Sequence, residues 1–563
     1  MLKTTLRQFW RNKLTAAVNI VGLALGVTAF VFILEYVSFE ESYNKFHKNL
    51  PTLYRLLTSS GQEKIQTDIA PAVAPLAKQQ FPEVHDFCRL AEHSANGIVT
   101  FTLDRKDRSQ HSFREGKLAY ADGNFFSIFT FPILEGKAAS ALTRPNTAAI
   151  SQSQARKYFG QSKAVGRVLT LNNQFGKTLY TITAVYADMP QRSDLSFDAV
   201  FSLETLANPA NLNGNKWAEL TGFDGRYLTT FLQLAKDANY KGVESKFNAL
   251  VKKLNPSDET LFRLQPATTM HLGATIGDPY PTNGSLGLIY LLSGVAGLIV
   301  LIAWFNYINL STAGALKRAK EVGVRKVTGA SSRQLIAQFL GESALLNLVS
   351  FGLAFVLIVL LQSTFNEFIK KDLSLWVLTT SGFWLIGLLI LVVGALASGG
   401  YVAYTLTSFQ PVQTLKGVIK TGKSHWLRQT LVVAQFSASV ILIIATLVLY
   451  RQLDYMQHTD LGVKLDQRVV IGGPSVGDAQ QIADQTTVLE QTLSQLPYVK
   501  SFCQTGMVPG EYYNGTTNQV TKQNPRPNDS KQTYAMGVVD DRYLTTYGIK
   551  LTAGRNVTRR GAN

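Results

Sequence analysis

Long apolar runs alternate with long polar stretches along this chain, and the alternation predicts a protein that crosses a membrane several times. A helix of about 20 mostly apolar residues is needed to cross the core of a bilayer. Such a helix also satisfies its own backbone hydrogen bonds inside lipid. Five proline-free segments meet the requirement: 14–38, 286–309, 339–362, 376–402 and 429–450. The predicted fold class is a membrane protein with an α-helical transmembrane bundle of five spans.

The distribution of lysine and arginine between the spans predicts the orientation. The N-terminal tail 1–13 and the linker 403–428 carry basic residues and no acid, and the segment 310–338 is strongly basic. Basic loops are typical of the cytoplasmic side. We therefore expect the N-terminus inside and residues 39–285 and 451–563 outside. The formal net charge of +17 follows largely from these loops, and it indicates the lipid bilayer as partner rather than nucleic acid.

The first exterior region, residues 39–285, is predicted to be an α+β domain. Residues 178–190 (TLYTITAVYADMP) alternate between apolar and polar and are rich in β-branched and aromatic residues, which is typical of a strand. Residues 146–150 (NTAAI) form a second strand candidate. A helix is predicted to follow it, with a capping box at its start and a glycine past its end: Ser151, Gln154 and Gly160.

The chain repeats itself at an offset of 415–418 residues. FPEVHDFC at 81–88 is echoed by LPYVKSFC at 496–503, and four residues recur in register: Asp122, Phe125, Phe129 and Gly136 as Asp540, Tyr543, Tyr547 and Gly554. The repeat predicts that 451–563 is an incomplete second α+β exterior domain. It also predicts a complete protein on the order of 800 residues, so that this sequence is a truncated fragment or an incomplete gene model. One cysteine falls in each copy, Cys88 and Cys503, and both are expected to be free, buried thiols, with intermolecular pairing as the alternative.

The segment 317–342 (KRAKEVGVRKVTGASSRQLIAQFLGE) allows two interpretations. Its charges could serve only to hold the loop in the cytoplasm, as in any basic membrane loop. Alternatively the segment binds a partner. Leu316, Ala319 and Val322 recur at helical spacing, so a short amphipathic helix is predicted within the loop.

Three motifs carry a resemblance to a known family. R-x-K-E-V-G-V-R-K-V-T-G-A-S at 318–331 is similar to the cytoplasmic loop of FtsX-like, MacB-type ABC transporter permeases. AIS-x-x-x-A-x-KYFG at 149–160 resembles the family's extracytoplasmic domain, and SFQPVQTLKG at 408–417 resembles its link between two halves. In that family the loop forms the coupling helix that touches the ATPase. The resemblance therefore assigns ATPase coupling to Lys317, Arg318, Glu321, Arg325, Lys326, Gly329 and Arg333.

The resemblance implies a permease of the mechanotransmission type in a bacterial inner membrane. ATP hydrolysis on a separate ABC ATPase subunit would move the extracytoplasmic domains, and the cargo would be an antibiotic, a peptide or a lipoprotein. The chain is expected to have no ATPase motif of its own, no catalytic residues, no cofactor and no metal site. A periplasmic adaptor and an outer-membrane channel are further candidate partners.

Two other classes remain open. A non-transporting regulator, similar to FtsX itself, would control a cell-wall hydrolase through its exterior domain; two large exterior domains weigh against it. A sensor or receptor is the other, although no signalling domain follows the spans in this sequence.

Overall fold

The computed structural model describes residues 13–373, part of 385–400, and 422–558. Short gaps within these ranges are 61–64, 93, 103–109, 224, 255–259, 274–283, 474–478, 511–515, 518–519, 521–522 and 525–533. The described chain divides into two compact units. One consists mainly of residues 1–43 and 283–454, and the other mainly of 44–270 and 455–563.

The first unit contains the long apolar helices. They are α1 (Lys13–Glu41), α6 (Leu286–Val327), α7 (Ser332–Ile369) and α8 (Gly422–His458). Each contains a stretch long and apolar enough to cross a membrane, so the structure has a helix over four of the five predicted spans. The remaining predicted span, 376–402, lies largely outside the described residues, as do the tail 1–12 and most of the linker 403–428.

α1 packs closely against α6 at a glycine. A Cβ on Gly26 would lie 2.9 Å from the Cβ of Ala303, so only glycine permits this approach of the two backbones. Lipid gives no hydrophobic force between helices, so their association depends on close packing, which small residues permit. α1 also packs on α7, where the rings of Phe32 and Phe365 stack with centroids 4.5 Å apart. The buried Glu35 accepts a hydrogen bond from Gln362 Nε2 at 3.1 Å.

The second unit is the α+β part of the chain. Its helices are α2 (Val73–Gln80), the single turn α3 (Phe125–Ile128), α4 (Gln152–Phe159), α5 (Tyr240–Leu254), α9 (Ala479–Gln495) and α10 (Tyr543–Tyr547). Thirteen strands form one sheet: β1 (Leu53–Ser60), β2 (Asp68–Ile69), β3 (Val84–Glu92), β4 (Gly97–Thr102), β5 (Gln110–Glu115), β6 (Leu118–Ala121), β7 (Ile133–Glu135), β8 (Thr147–Ser151), β9 (Val168–Asn173), β10 (Gly176–Tyr186), β11 (Ala199–Ser202), β12 (Leu228–Leu234) and β13 (Thr260–Pro266). A small hairpin pairs β14 (Thr516–Thr517) with β15 (Tyr534–Ala535).

The large sheet is mixed and buried on both faces at its centre. Its strand order is β13-β1-β12-β3-β6-β11-β8-β10-β9-β4-β5, with parallel pairing only at β10 with β8 and β11 with β6 among the described strands. Successive side chains of a strand point to opposite faces. Accordingly Ile150 belongs to one apolar cluster and Ala149 to another, and all of β8 is buried.

The elements predicted for residues 146–190 are present, with one difference in detail. β8 and β10 occupy the two predicted strand segments, and α4 begins after Ser151, whose hydroxyl accepts from Gln154 N. The Gln154 side chain does not complete the predicted capping box among the described contacts. Its amide group is buried in the domain and donates instead to the hydroxyl of Tyr158, one turn further along α4.

The predicted repeat is visible as matching hydrogen bonds. In the first copy Asp122 accepts from Arg89 N through its side chain at 2.8 Å, and β3 pairs antiparallel with β6 through Leu90 and Ala121. In the second copy Asp540 accepts from Gln504 N at 3.0 Å, and Thr505 pairs antiparallel with Val539. These positions correspond at the repeat offset. Both cysteines are free; Cys88 is buried and Cys503 half-buried.

Candidate functional site: the basic segment between two long helices

A tight turn joins α6 to α7 at the centre of the basic segment. α6 continues without a break through the predicted loop to Val327, about 24 Å beyond the apolar stretch that ends at Ser311. Gly329 N then donates to Lys326 O at 3.2 Å and Ala330 N donates to Arg325 O at 2.9 Å. This pair of bonds is a Schellman motif. The motif requires a left-handed residue, and Gly329 has φ +98°.

A complete capping box starts the next helix. Ser331 Oγ accepts from Gln334 N at 3.3 Å, and Gln334 Oε1 accepts from Ser331 N at 3.1 Å. The four-residue connection Thr328–Ser331 therefore satisfies helix-end groups on both sides. The consequence is a compact helical hairpin rather than an open loop.

The structure corrects the predicted local architecture of residues 310–338. The sequence predicted a membrane loop with a short amphipathic helix within it. Instead, most of this range is the end of α6 and the start of α7, because the glycine and serine signals at the turn terminate one helix and start the next. Of the apolar residues used for that prediction, Val322 is buried, as expected for the inner face of a helix.

The predicted site residues fall on three parts of the hairpin. Lys317, Arg318 and Glu321 lie on the α6 backbone, and their side chains lie outside the described part of the structure. Arg325 and Lys326 are half-buried in the last turn of α6. Gly329 lies in the turn, and Arg333 is exposed in the first turn of α7.

Arg325 is engaged within the hairpin itself. Its Nη1 donates to Gln338 Oε1 at 2.8 Å, and Gln338 Nε2 donates to Glu342 Oε1 at 3.0 Å. A chain of polar bonds thus ties the end of α6 to the second and third turns of α7. Arg325 therefore holds the two helices together, which the sequence did not indicate.

Two apolar residues complete the surface and were missed by the sequence reasoning. Val324 and Val327 are 50% and 64% exposed in the last turn of α6, beside the basic residues. A mixture of exposed apolar and positively charged side chains is typical of a surface that binds another protein. The signal was present in the sequence, but Val322 and Val324 could not be assigned to opposite faces before the helix was known to be continuous.

Two family profiles match the chain. The MacB-like periplasmic core domain matches residues 16–250, and the FtsX-like permease C-terminal domain matches residues 293–411, which include the basic hairpin. The chain belongs to the FtsX-like, MacB-type family of ABC transporter permeases.

Relatives of this permease are distant. The pyoverdine export ATP-binding/permease protein PvdT of Pseudomonas syringae pv. syringae is 24% identical over 371 residues, which are 64% of this chain and 51% of PvdT. The uncharacterized ABC transporter permease YknZ of Bacillus subtilis is 24% identical over 200 residues, 36% of this chain and 45% of YknZ. The chain spans about half the length of the curated relatives that it matches.

Among solved structures, the periplasmic region of MacB from Actinobacillus actinomycetemcomitans aligns with this permease at 14% identity and a TM-score of 0.28. The alignment covers 39% of this chain and 90% of that one.

The expectation that the chain has no ATPase motif was wrong, because the sequence contains a match to the motif pattern. Residues 417–424 (GVIKTGKS) fit the phosphate-loop pattern G-x-x-x-x-G-K-[ST], and 473–477 (GPSVG) fit the nucleophile-elbow pattern G-x-S-x-G. A phosphate loop lies between a strand and a helix of a nucleotide-binding domain. Here the pattern runs into α8, a helix apolar enough to cross a membrane. Residues 417–421 and 474–477 lie outside the described residues, and neither pattern carries an assignment.

Proposed function

We propose that this permease couples ATP hydrolysis on a separate ABC ATPase subunit to movement of its exterior domains. Cargo would be exported or extracted without passing between the membrane helices. The observation that carries the proposal is the helical hairpin: a helix that continues from an apolar span into a basic turn with exposed valines. The coupling residues are Lys317, Arg318, Glu321, Arg325, Lys326, Gly329 and Arg333, now joined by Val324 and Val327.

The physical argument rests on stiffness. Each residue of α6 from the apolar stretch to Val327 has a helical backbone, and the turn that follows is closed by hydrogen bonds. A force applied at the turn is therefore carried into the apolar part of the helix rather than absorbed in a flexible loop. The name of the P. syringae relative, an export protein, supports the direction of transport. The cargo classes proposed are an antibiotic, a peptide or a lipoprotein.

Removing the exposed valines tests the coupling surface without changing charge. We expect Val324→Ser with Val327→Ser to abolish co-purification of the ATPase subunit while membrane insertion stays normal, because the positive charges that direct topology are untouched. Reversing charge in Arg325→Glu with Lys326→Glu should have the same effect on binding. Lys370→Glu, at the opposite end of α7, is the matched control and should bind normally.

Normal ATPase binding by the valine variant would contradict the coupling surface. If the charge-reversed variant inserts wrongly while its correctly inserted fraction binds the ATPase, the charges are topology signals only.

The proposed orientation has its own test. We place the protein in a bacterial inner membrane with its N-terminus on the cytoplasmic side. The hairpin is then cytoplasmic and residues 44–270 are exterior. In a Cys503→Ser background, which removes the accessible native thiol, a cysteine introduced at Arg333 should react with an impermeant maleimide only after permeabilisation, and one at Lys216, in the exterior domain, should react from outside. The reverse pattern would overturn the orientation.

A further inference from the structure

Three chain segments meet at the end of the helical unit opposite the basic turn. They are the last turn of α1, residues 271–273 with the start of α6, and the segment that follows α7. Each carries one charged or titratable side chain into the same small region: Glu40, His271 and Lys371. Glu40 and His271 are both about 3% exposed.

Glu40 uses its two carboxylate oxygens to bind two different segments. Oε2 lies 3.0 Å from Nε2 of His271, and Oε1 pairs with the ammonium group of Lys371. A buried carboxylate is strongly unfavourable unless it is paired and hydrogen-bonded. Both segments therefore have to be in place whenever Glu40 is buried and charged.

Aromatic rings enclose the same group of charges. The rings of Tyr43 and His271 stack with centroids 3.5 Å apart and planes 5° apart. The ammonium group of Lys371 lies 5.2–5.7 Å from the ring centroids of Phe39 and Tyr43. A cation over an aromatic face gains additional attraction, and the gain increases when water is excluded.

Gly284 closes the arrangement from the α6 side. A Cβ at this position would lie 2.8 Å from Glu40 Oε2 and 2.9 Å from His271 Nε2. Gly284 N donates to His271 O at 2.9 Å. The absence of a side chain therefore lets the entry to α6 approach the carboxylate directly.

The position of these residues along the chain gives the cluster its meaning. Tyr43 is the last residue of the helical unit before the exterior domain starts at Asn44, and His271 is the first residue after the domain's main part ends at Met270. The chain therefore leaves the helical unit for residues 44–270 at Tyr43 and returns to it at His271, the two residues whose rings stack.

We propose that Glu40 is a positioning residue that joins these three segments so that they move as one body. On the proposed function, this joint passes motion from the basic hairpin to both connections of the exterior domain. Loss of the Glu40 charge releases the start of α6 and the segment after α7 independently.

Distances between spin labels on the full chain in nanodiscs test the joint without any ATPase. Label pairs at Glu41 with Leu288 and at Glu41 with Phe368 report on the α1–α6 and α1–α7 ends, since all three positions are exposed. Cys503→Ser removes the accessible native thiol, while Cys88 is buried. We expect one narrow distance for each pair in the parent protein.

The variants separate the two arms of the joint. Glu40→Gln should broaden both distances, Lys371→Gln only the α1–α7 distance, and His271→Gln mainly the α1–α6 distance. Lys370→Gln removes the neighbouring charge and should change neither distance. Two narrow distances in Glu40→Gln that match the parent protein would overturn the proposal.

A second experiment adds the ATPase subunit and compares the two label distances with and without a non-hydrolysable nucleotide. We expect nucleotide to shift both distances in the parent protein, and to leave them unshifted in Glu40→Gln although the ATPase remains bound. Equal shifts in both proteins would overturn the role of Glu40 in transmission. If nucleotide shifts neither distance in the parent protein, the proposed function is overturned, and the joint is still tested by the measurement without the ATPase.

Discussion

The two copies of the repeated motif have the same local hydrogen bonds and very different surroundings. In the first copy β3 lies between β12 and β6, and Cys88 at its centre has no exposed surface. In the second copy the equivalent residues make a single bridge, Thr505 with Val539, within the described part of the chain, and Cys503, the equivalent of Cys88, is only half-buried. The turn at Asp540 still forms. Local sequence is therefore sufficient for the turn and its aspartate cap, whereas burial comes from strands that are distant in sequence.

The ion pairs of the two copies should show the largest difference. Arg89 makes a forked pair with Asp122, and both side chains are at most 15% exposed. In the second copy the arginine is Arg542, beside Asp540 and 35% exposed. Arg89→Met should cost about 3–5 kcal/mol because it removes both arms of a forked pair from a largely buried carboxylate. Arg542→Met should cost less than about 1 kcal/mol. The Asp540 side chain is 7% exposed, but it makes only one 3.2 Å contact with this more exposed arginine side chain, and it keeps its hydrogen bonds from Gln504 N and Arg542 N.

Hydrogen exchange measures both effects in one full-length sample, through the local opening free energies of peptides from each copy. Equal losses in the two copies would mean that the surroundings do not control the strength of the pair. Lys177→Met, on β10 away from both pairs, is the control.

A pair of equivalent glycines separates backbone strain from packing. Gly136 and Gly554 have φ +90° and +86°. A Cβ on Gly136 would overlap the carbonyl oxygen of Thr183 and lie 3.0 Å from Ala184 Cα, whereas one on Gly554 would meet nothing within 4 Å. Gly136→Ala should cost about 2–4 kcal/mol from strain and overpacking, and Gly554→Ala about 1–2 kcal/mol from strain alone. Exchange in the two peptides should show this order; a larger effect at Gly554 would contradict it.

Acid should loosen the first copy through His47. Burial among phenylalanine rings lowers the pKa of His47 from 6.5 to about 4, and its Nδ1 accepts from Thr130 N. The unfolded chain binds this proton at a higher pH than the folded chain, so stability falls as pH decreases from about 6.5 to about 4, by up to about 3 kcal/mol. The repeat offset places Gly462 at the equivalent position, so the second copy lacks this particular dependence.

The measurement is protection of the first-copy peptides across this pH range. His47→Asn keeps a hydrogen-bond acceptor without a titrating group and should remove the dependence. An unchanged pH profile in that variant would assign the effect to other groups.

Thiol reactivity should give the smallest effect, a difference in rate only. Burial raises the pKa of the Cys88 thiol well above its usual value, and burial also raises that of Cys503, to which the nearby Asp540 contributes. Because the thiolate is the reactive form, an impermeant maleimide should modify Cys503 slowly and leave Cys88 unmodified until unfolding. Faster reaction at Cys88 would mean that the first copy opens more readily than the second.

The parts of the fold that local patterns determine were predictable. Long apolar runs gave the membrane helices, the alternation in TLYTITAVY gave β10, and Ser151 with Gly160 gave the limits of α4. The repeat followed from a few residues in register. Apart from the repeat, which is recognised by comparing two distant segments, these signals are carried by neighbours in sequence.

Features that depend on distant partners were not predictable. Gln154 had the spacing of a capping box, yet Tyr158 takes its side chain. Arg325 lies in a basic segment and was predicted to bind a partner, yet it donates a hydrogen bond to Gln338 within the hairpin. Gly329 and Ser331, by contrast, were readable signals for a helix end and a helix start, and they would have shown that the basic segment is a hairpin.

Because α6 is continuous, the rotation about its axis between its two ends is fixed. An α-helix advances about 1.5 Å and turns about 100° with each residue. The face of α6 that meets Gly26 through Ala303 and the face that exposes Val324 and Val327 are therefore held at one fixed rotation. A single inserted residue between them would swing one face away from its neighbour while keeping every side chain of both. The number of residues between Ala303 and Val324 therefore sets a rotation as well as a length, independently of which residues fill the interval.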